Sequence, residues 1–378
     1  MTKKLHILFL CSWFPSKEFP TNGDFIQRHA KAISLKHTVS VLHIVSSKKV
    51  AKTNIEKSTE TNLTTYVGYI KHTKNPIVKA VRFYKTYQDI LKQIGDFDLT
   101  HVNTLFPFGL FALHLKWKHQ KPFLISEHWT GYLNARKNKV SFFQKFWSKQ
   151  IVKKANFVCP VSVELKNGML NHNLKGNYFP VRNVVDTNVF IPSDNKNDEF
   201  TIVHVSGLND EQKNISDMLK VAKHLENEIE HFNWKFIGGT SEKYQNLLTD
   251  LDFKSAKIEF INHISQAELA THLQKANICV SFSNYETFGI VMPEAIACGT
   301  FVITTNTGIL NEIKLQNFFS IIPKKDTNTL KNEIINQYKN PTKLDSEKMH
   351  SFVKQQFSNE KIADTFSNLY KNMLNKQA

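Results

Sequence analysis

Cysteine is scarce in this chain. Cys11, Cys159, Cys279 and Cys298 are the whole set, and no two of them form a C-x-x-C pair. A disulfide framework is not expected from such a set, and three of the four fall in apolar stretches that suit buried free thiols in a reducing compartment. The histidines are scattered and lack the Cys/His spacing of a zinc site, so no metal cage is expected. No apolar run reaches membrane-spanning length. Met1-Thr2-Lys3-Lys4 followed by Leu5 to Phe14 has the outline of a signal peptide. His6 interrupts that run and no small-residue cleavage site follows, so a buried first strand at Leu5–Cys11 is the expectation. Repeats and low-complexity tracts are absent. Acidic residues are few in the first half: residues 1–180 hold 28 Lys/Arg against 9 Asp/Glu, a net +19, and the remaining 198 hold 21 against 24, a net −3. That asymmetry points to an anionic partner for the first half: nucleic acid, an anionic membrane surface or an acidic glycan. No nucleic-acid-binding motif accompanies it, so nucleic acid is not the expected partner.

What the chain has is alternation. Its 378 residues are 41% hydrophobic and 22% charged, enough for two or three globular cores. Strand signals at Leu5–Cys11, Thr38–Val45, Leu99–Asn103, Phe123–Ser126 and Phe157–Pro160 are separated by helical patterns near Phe25–Leu35 and Gly109–Trp117. The pattern restarts at Phe200–Ser206, Trp234–Ile237, Ile258–Phe260, Ala276–Phe282 and Phe301–Thr305. Helices are expected at Asn214–Leu225, near Ser241–Asp250, at Gln266–Gln274 and from Ser351 to Met373. Such alternation predicts α/β architecture with parallel sheets, in two consecutive Rossmann-like domains, residues 1–183 and 184–378. The polar stretch Pro192 to Asp198 suits a linker.

The richest segment is Ser283-Asn284-Tyr285-Glu286-Thr287-Phe288-Gly289-Ile290-Val291-Met292-Pro293-Glu294-Ala295-Ile296-Ala297-Cys298-Gly299. It joins two strands through a turn and a short helix, and a βαβ unit binds its ligand at the carboxyl ends of the strands. Gly289 permits a tight turn and close backbone approach, and a helix tip favours an anion such as a diphosphate. Glu286 precedes the helix, and Glu294 lies inside it. A carboxylate only accepts hydrogen bonds, so it suits sugar hydroxyls and not phosphate. One glutamate for a transferred sugar and one for a ribose diol is coherent. The plain alternative is a solvated helix residue and a loop residue.

This segment resembles the donor-site motif of the retaining GT-B glycosyltransferases of family four (group 1): Glu, any residue, Phe-Gly, then Glu-Ala and a later Gly. The resemblance implies a GT-B fold, two Rossmann-like domains facing across a cleft, with a C-terminal helix crossing back to the first domain. It implies transfer of a hexosyl or N-acetylhexosaminyl unit from a nucleoside diphosphate sugar, UDP among them, to a glycan or lipid-linked acceptor in cell-surface polysaccharide synthesis, with retention and without a metal or other cofactor. The Asp-x-Asp cation site of the other main glycosyltransferase fold has no counterpart. Asp96 and Asp98 precede a strand, and Asp250 and Asp252 follow a helix. Phe288, Gly289, Ile290 and Glu294 fall in the donor motif, and Glu286 is assigned to orient the donor sugar. Lys213 stands where an ammonium could meet the diphosphate, although an isolated lysine is more often solvated. Gly207, in Ser206-Gly207-Leu208, occupies the place where the family often has Arg. Gly23, after Trp13-Phe14-Pro15, resembles the glycine of the family's first loop. His128, in Ser126-Glu127-His128-Trp129, corresponds to a histidine expected at the donor sugar or reacting centre. His101-Val102-Asn103 and Pro107-Phe108-Gly109 are expected to help shape the acceptor side.

Arg136 to Lys154 interleaves lysines with Phe142, Phe143, Phe146 and Trp147 at helical spacing, and Lys79 to Lys92 has a similar character. Such a face suits an anionic lipid surface, and equally a plain core stripe with solvated lysines. A cytoplasmic protein, peripheral on the inner face of the membrane, is the expectation. Two other functions are compatible with the pattern: a nucleotide-sugar epimerase of GT-B fold, or a basic nucleic-acid- or glycan-binding protein.

Overall fold

The structure, a computed structural model, describes residues 4–135, 141–193, 196–314 and 316–375. The chain forms two compact units, residues 1–184 with 359–378, and residues 185–358.

In the first unit the order is β1 (His6–Cys11), α1 (Asp24–Ser34), β2 (Thr38–Ser47), β3 (Asn54–Glu60), β4 (Leu63–Lys71), α2 (Pro76–Ile94), β5 (Leu99–Asn103), α3 (Gly109–His119), β6 (Phe123–Glu127), α4 (Phe142–Lys154), β7 (Phe157–Pro160) and α5 (Val163–Asn171). The seven strands lie in the order β3-β4-β2-β1-β5-β6-β7. All neighbours are parallel except the β3–β4 pair. Central strands such as β1, β5 and β6 are buried on both faces, and β1 accordingly reads as an unbroken apolar run from Ile7 to Cys11. Right-handed crossovers send α1 to one face and α2, α3 and α4 to the other, because the chain moves in opposite directions along the sheet. Helix starts carry the expected caps: Asn75 before Pro76 on α2, Ser141 on α4 and Ser162 on α5 each accept backbone N–H bonds.

The second unit runs β8 (Phe200–Val205), α6 (Asp210–Lys213), α7 (Ile215–Leu225), β9 (Phe232–Ile237), α8 (Gln245–Leu251), β10 (Ala256–Ile261), α9 (Gln266–Lys275), β11 (Ile278–Ser281), α10 (Val291–Ala297), β12 (Phe301–Thr305), β13 (Phe319–Ile322), α11 (Thr327–Lys339) and α12 (Ser346–Phe357). Its six strands, in the order β10-β9-β8-β11-β12-β13, are all parallel. Trp234, Phe236, Phe282 and Phe301 pack in its core with the apolar side of α7.

The last helix, α13 (Asn359–Asn375), belongs to the first unit. Ile362, Phe366, Tyr370 and Met373 recur at helical spacing and pack into the core beside α1 and β1. Burying side chains of this kind stabilises by roughly 1.5–3 kcal/mol each.

Four differences from the sequence reading have local causes. The β3–β4 hairpin is unanticipated because β3 is polar and largely exposed. The helix read as Ser351 to Met373 is two helices, broken at Ser358 (φ −61°, ψ 161°). The helix expected at Ser241–Asp250 begins as a 3-10 turn at Glu242–Tyr244 and becomes α8. The aromatics of α4 are no core stripe: Ser148, Ile151 and Val152 are its buried residues, while Phe142, Phe143 and Phe146 are exposed. Arg136, Lys137 and Lys139 lie outside the described residues. All four cysteines are buried free thiols.

Candidate active site

In the second unit, three carboxyl strand ends converge. At the end of β8, His204 is buried and its pKa is lowered to about 3, chiefly by loss of solvent. Its Nδ1 faces the Val280 carbonyl at 2.9 Å, so Nδ1 carries the proton. Nε2 then accepts from the Ser206 hydroxyl at 2.8 Å, and Ser206 Oγ accepts from Leu208 N at 3.0 Å. This fixes the Ser206-Gly207-Leu208 turn. Open space surrounds the position where a Gly207 side chain would begin.

The one-turn helix α6 is capped by Asn209 and ends at Asn214, a left-handed residue with φ 53°. Asn214 donates to the Phe282 carbonyl at 2.7 Å and exchanges amide bonds with Asn284. Asn284 N donates to Gln212 O at 2.8 Å, and the Asn284 side chain donates to Glu211 O at 2.7 Å. These bonds tie α6 to the loop after β11 and bring Lys213 to Glu286. Lys213 Nζ and Glu286 Oε1 form an ion pair, and Ser283 Oγ donates to the same carboxylate oxygen at 2.8 Å. Glu286 is only 6% exposed.

Behind the ion pair, Phe288 is buried with its ring edge against Phe357 in the same unit. Its carbonyl accepts from Ile309 N at 2.8 Å. Gly289 has φ 73°, and a Cβ there would collide with the Met292 methyl group. Glycine is required by the backbone angle. The helix α10 follows at Val291. Met292 N donates back to Gly289 O and Glu294 N to Ile290 O, while Pro293 has no N–H. Glu294 is 1% exposed, so it is not a solvated helix residue.

The first unit holds Gly23 and His128. Gly23 caps α1 with φ 75°, and a Cβ would lie 2.6 Å from the Trp13 carbonyl carbon. Two residues on, the Phe25 ring lies 4.6 Å from the His128 ring, so the glycine loop and the histidine share one cluster. His29 is 5.6 Å from His128 between ring centres. His128 is buried, and burial followed by its neighbours His29 and His101 holds its pKa well below the usual histidine value. Neither of its ring nitrogens has a partner among the described residues.

Glu127, beside it, was not singled out by its sequence. It is fully buried, and loss of solvent raises its pKa to about 7 against three backbone donors: Leu105 N at 2.9 Å, His128 N at 2.8 Å and Trp129 N at 2.8 Å. A carboxylate closing an apolar strand, Phe123-Leu124-Ile125-Ser126-Glu127, is the signal that could have found it. Lys213, Gly207 and Glu286 to Glu294 are thus gathered in one unit, and Gly23 and His128 in the other. Among the described residues no group of His, Cys, Asp and Glu is arranged to hold a metal ion. A larger cavity of about 750 Å³ in the second unit is lined by Asn277, Ile278 and Phe301, at the opposite, amino ends of the strands. Ligands of open parallel sheets bind at the carboxyl ends.

Comparisons with known proteins bear on the fold and the family. The model of the "Glycosyl transferases group 1" family matches residues 186–357, and that of "Glycosyltransferase Family 4" matches residues 27–189. An uncharacterized glycosyltransferase of Methanocaldococcus jannaschii is 26% identical over 258 residues, 68% of this chain and 69% of that one. Among solved structures, sucrose-phosphate synthase from Thermosynechococcus elongatus superposes with a TM-score of 0.77 at 17% identity, over 99% of this chain and 100% of that one. Anabaena HepE in complex with UDP and glucose gives 0.71 at 13%, over 97% and 100%. With two parallel-sheet Rossmann-like domains and both family models matched, the chain belongs to the GT-B glycosyltransferases of the group 1/family 4 type.

Proposed function

We propose that this glycosyltransferase is a retaining, metal-independent enzyme that moves a hexosyl or N-acetylhexosaminyl unit from a nucleoside diphosphate sugar to a glycan or lipid-linked acceptor in cell-surface polysaccharide synthesis. The observation that carries the reading is the ion pair of Lys213 and Glu286, held at the carboxyl strand ends with Ser283 on the carboxylate. Without donor, the two charges neutralise each other. A bound diphosphate would draw the ammonium to itself, leaving the Glu286 oxygens to accept from sugar hydroxyls. Gly289 lets the Phe288–Ile290 backbone approach the diphosphate, Glu294 takes the ribose diol, and Gly23 brings its loop's backbone to the phosphates. His128 keeps the role that the resemblance gives it, contact with the donor sugar or the reacting centre. Gly207 supplies no cation, so Lys213 carries the phosphate charge at that edge.

In the reaction, the acceptor hydroxyl attacks the anomeric carbon from the face that the diphosphate leaves. The carbon–oxygen bond to the diphosphate breaks, and the departing oxygen takes the hydroxyl proton. Lys213 meets the charge that develops there. UDP is the favoured nucleotide, supported by the neighbour that holds UDP and glucose. A thermal-shift screen of UDP, GDP, ADP and their sugars with EDTA present tests the reading, followed by NMR of the product anomer. No stabilisation by any nucleotide, or an inverted product, removes it.

A cytoplasmic enzyme docked on an anionic membrane surface completes the reading. The layer of α2, α3 and α4 carries ten Lys/Arg against the single Asp89. The helices α1 and α13 of the opposite face are balanced by acids, four basic residues against Asp24, Glu360 and Asp364. The same layer exposes Ile77, Val81 and Tyr84 one turn apart on α2, with Trp117 on α3 and Phe142 (87% exposed) on α4. Basic side chains around exposed aromatics suit anionic headgroups. No helix among the described residues is long and apolar enough to cross a membrane.

A further inference from the structure

The donor motif assigns no role to Asn214 or Asn284, yet every side-chain donor and acceptor of the two is used. The Asn214 amide donates to the Phe282 carbonyl at 2.7 Å and to Asn284 Oδ1 at 3.1 Å. The Asn284 amide donates to the Glu211 carbonyl at 2.7 Å and to Asn214 Oδ1 at 2.9 Å. A side-chain amide has two donor hydrogens, so each nitrogen is fully engaged. This arrangement fixes the residue type. At Asn214 an aspartate would set a carboxylate oxygen against the Phe282 carbonyl where an N–H now points, and two acceptors cannot bond. Glycine would hold the left-handed backbone (φ 53°, ψ 44°) at no steric cost, and asparagine stands there instead. The turn alone therefore does not explain Asn214.

The same turn decides where Lys213 stands. Asn214 ends α6 and opens α7. The core holds α7 through Ile215, Met218, Leu219 and Ala222, whereas α6 has no buried residue of its own. Opposite α6, the loop after β11 has an independent hold: the Thr305 hydroxyl donates to Ser283 O at 2.6 Å. Apart from the ion pair and the asparagine side chains, α6 meets that loop through Gln212. Its carbonyl accepts from Asn284 N at 2.8 Å, and its amide donates to Tyr285 O at 3.2 Å. Loss of the asparagine pair would loosen α6, with Lys213 on it, and leave Glu286 anchored from β12. Lysine is a flexible four-carbon stem, and ordering such a side chain at the moment of binding lowers affinity.

We propose that Asn214 and Asn284 are positioning residues whose amide pair presets Lys213 for the diphosphate, so that this side chain is ordered before the donor arrives. The proposal deepens the donor-site reading above and rests on it.

The probe is UDP, with its dissociation constant measured by calorimetry on the full-length protein. Asn284→Ala should raise that constant about fivefold, the cost of immobilising one long side chain on binding. Asn214→Gly should do the same although it keeps the backbone angle. A residue needed only for its left-handed turn would lose nothing. In a Lys213→Ala background both substitutions should change UDP affinity by less than about twofold, because the side chain they position is gone. Equal losses with and without Lys213, or wild-type affinity in both single variants, overturn the proposal. The free protein supplies a second measurement that needs no nucleotide. The nitrogen–proton NMR correlation of the Lys213 ammonium, assigned by its absence in Lys213→Ala, should be present in the wild type. It should be lost to fast water exchange in Asn284→Ala, recorded well below the melting temperature of both proteins. A signal that survives in Asn284→Ala overturns the proposal. Failure of the wild type to bind any of UDP, GDP and ADP strikes the donor reading instead, and the ammonium signal then still decides whether the asparagines order Lys213.

Discussion

Lys213 and Glu286 are largely buried charges that face each other, and on the proposed function each has two duties that substitution can separate. Glu286→Gln keeps the shape and the capacity to accept from Ser283. It should lower kcat/KM about a hundredfold or more, as expected for a group that holds the donor sugar through the transition state. Glu286→Ala should abolish transfer and also cost about 1–3 kcal/mol, because Lys213 loses its partner. Lys213→Ala should raise the dissociation constant for UDP about tenfold, the worth of one charge-assisted hydrogen bond. Unchanged UDP affinity by calorimetry, or wild-type turnover of Glu286→Gln, would remove the assignments. Gly207 offers a gain of function. Open space surrounds its missing side chain, so Gly207→Arg should fold normally and tighten UDP binding. Equal or weaker binding would show that a guanidinium there does not reach phosphate. At this scale the sequence is readable where chemistry dictates residue type: Gly289 needs its left-handed backbone, and Glu286 falls in the loop after β11. The pairing of Lys213 with Glu286 is not readable, because it is made by Asn214 and Asn284 clamping two loops that lie 70 residues apart.

The helix α4 turns its buried side, Ser148, Ile151 and Val152, inward against Tyr132, Gly109 of α3 and Gly176, and its Phe142, Phe143 and Phe146 to solvent. An exposed aromatic contributes little to folding. Phe142→Ser with Phe143→Ser should therefore leave the melting temperature within about two degrees, since surface changes usually fall within about 0.5 kcal/mol. The same pair should sharply reduce co-sedimentation with vesicles containing phosphatidylglycerol. Vesicles of phosphatidylcholine alone should bind weakly in every case, and added salt should weaken the anionic case. Binding that survives the double substitution would place the membrane surface elsewhere. Elements were legible in the sequence to the extent that burial imposed a pattern. The buried strands β1, β7 and β12 announce themselves as apolar or β-branched runs. The edge strand β3, Asn-Ile-Glu-Lys-Ser-Thr-Glu, has almost no buried face and reads as loop. For α4 the spacing gave the stripe but could not say which way it faces, because lysines flank a core stripe and a lipid-facing stripe alike.

Across the whole molecule, buried histidines should govern the response to acid, and they are unequally shared. In the first unit His29, His37, His43, His101 and His128 are buried, and loss of solvent lowers each pKa, that of His29 to about 4. In the second unit His204 is the buried counterpart, lowered to about 3. A lowered histidine contributes stability that is fully present above its unfolded value near 6.5. That stability is lost as pH falls through the folded value, because the unfolded chain takes the proton first. Each such histidine costs roughly 1.4 kcal/mol per pH unit in that window. Glu127 works in the opposite direction. Its pKa, raised to about 7, gives stability that is fully present below about 4.5 and lost as pH rises through 7, so it offsets one histidine of the five. The first unit should therefore open at a higher pH than the second as acid is added. Hydrogen exchange followed by mass spectrometry from pH 7 to pH 4 reads the two units separately. Amides of β1, β5 and β6 should lose protection before those of β8, β9 and β11. Simultaneous loss, or earlier loss in the second unit, would mean that other groups control the acid limb.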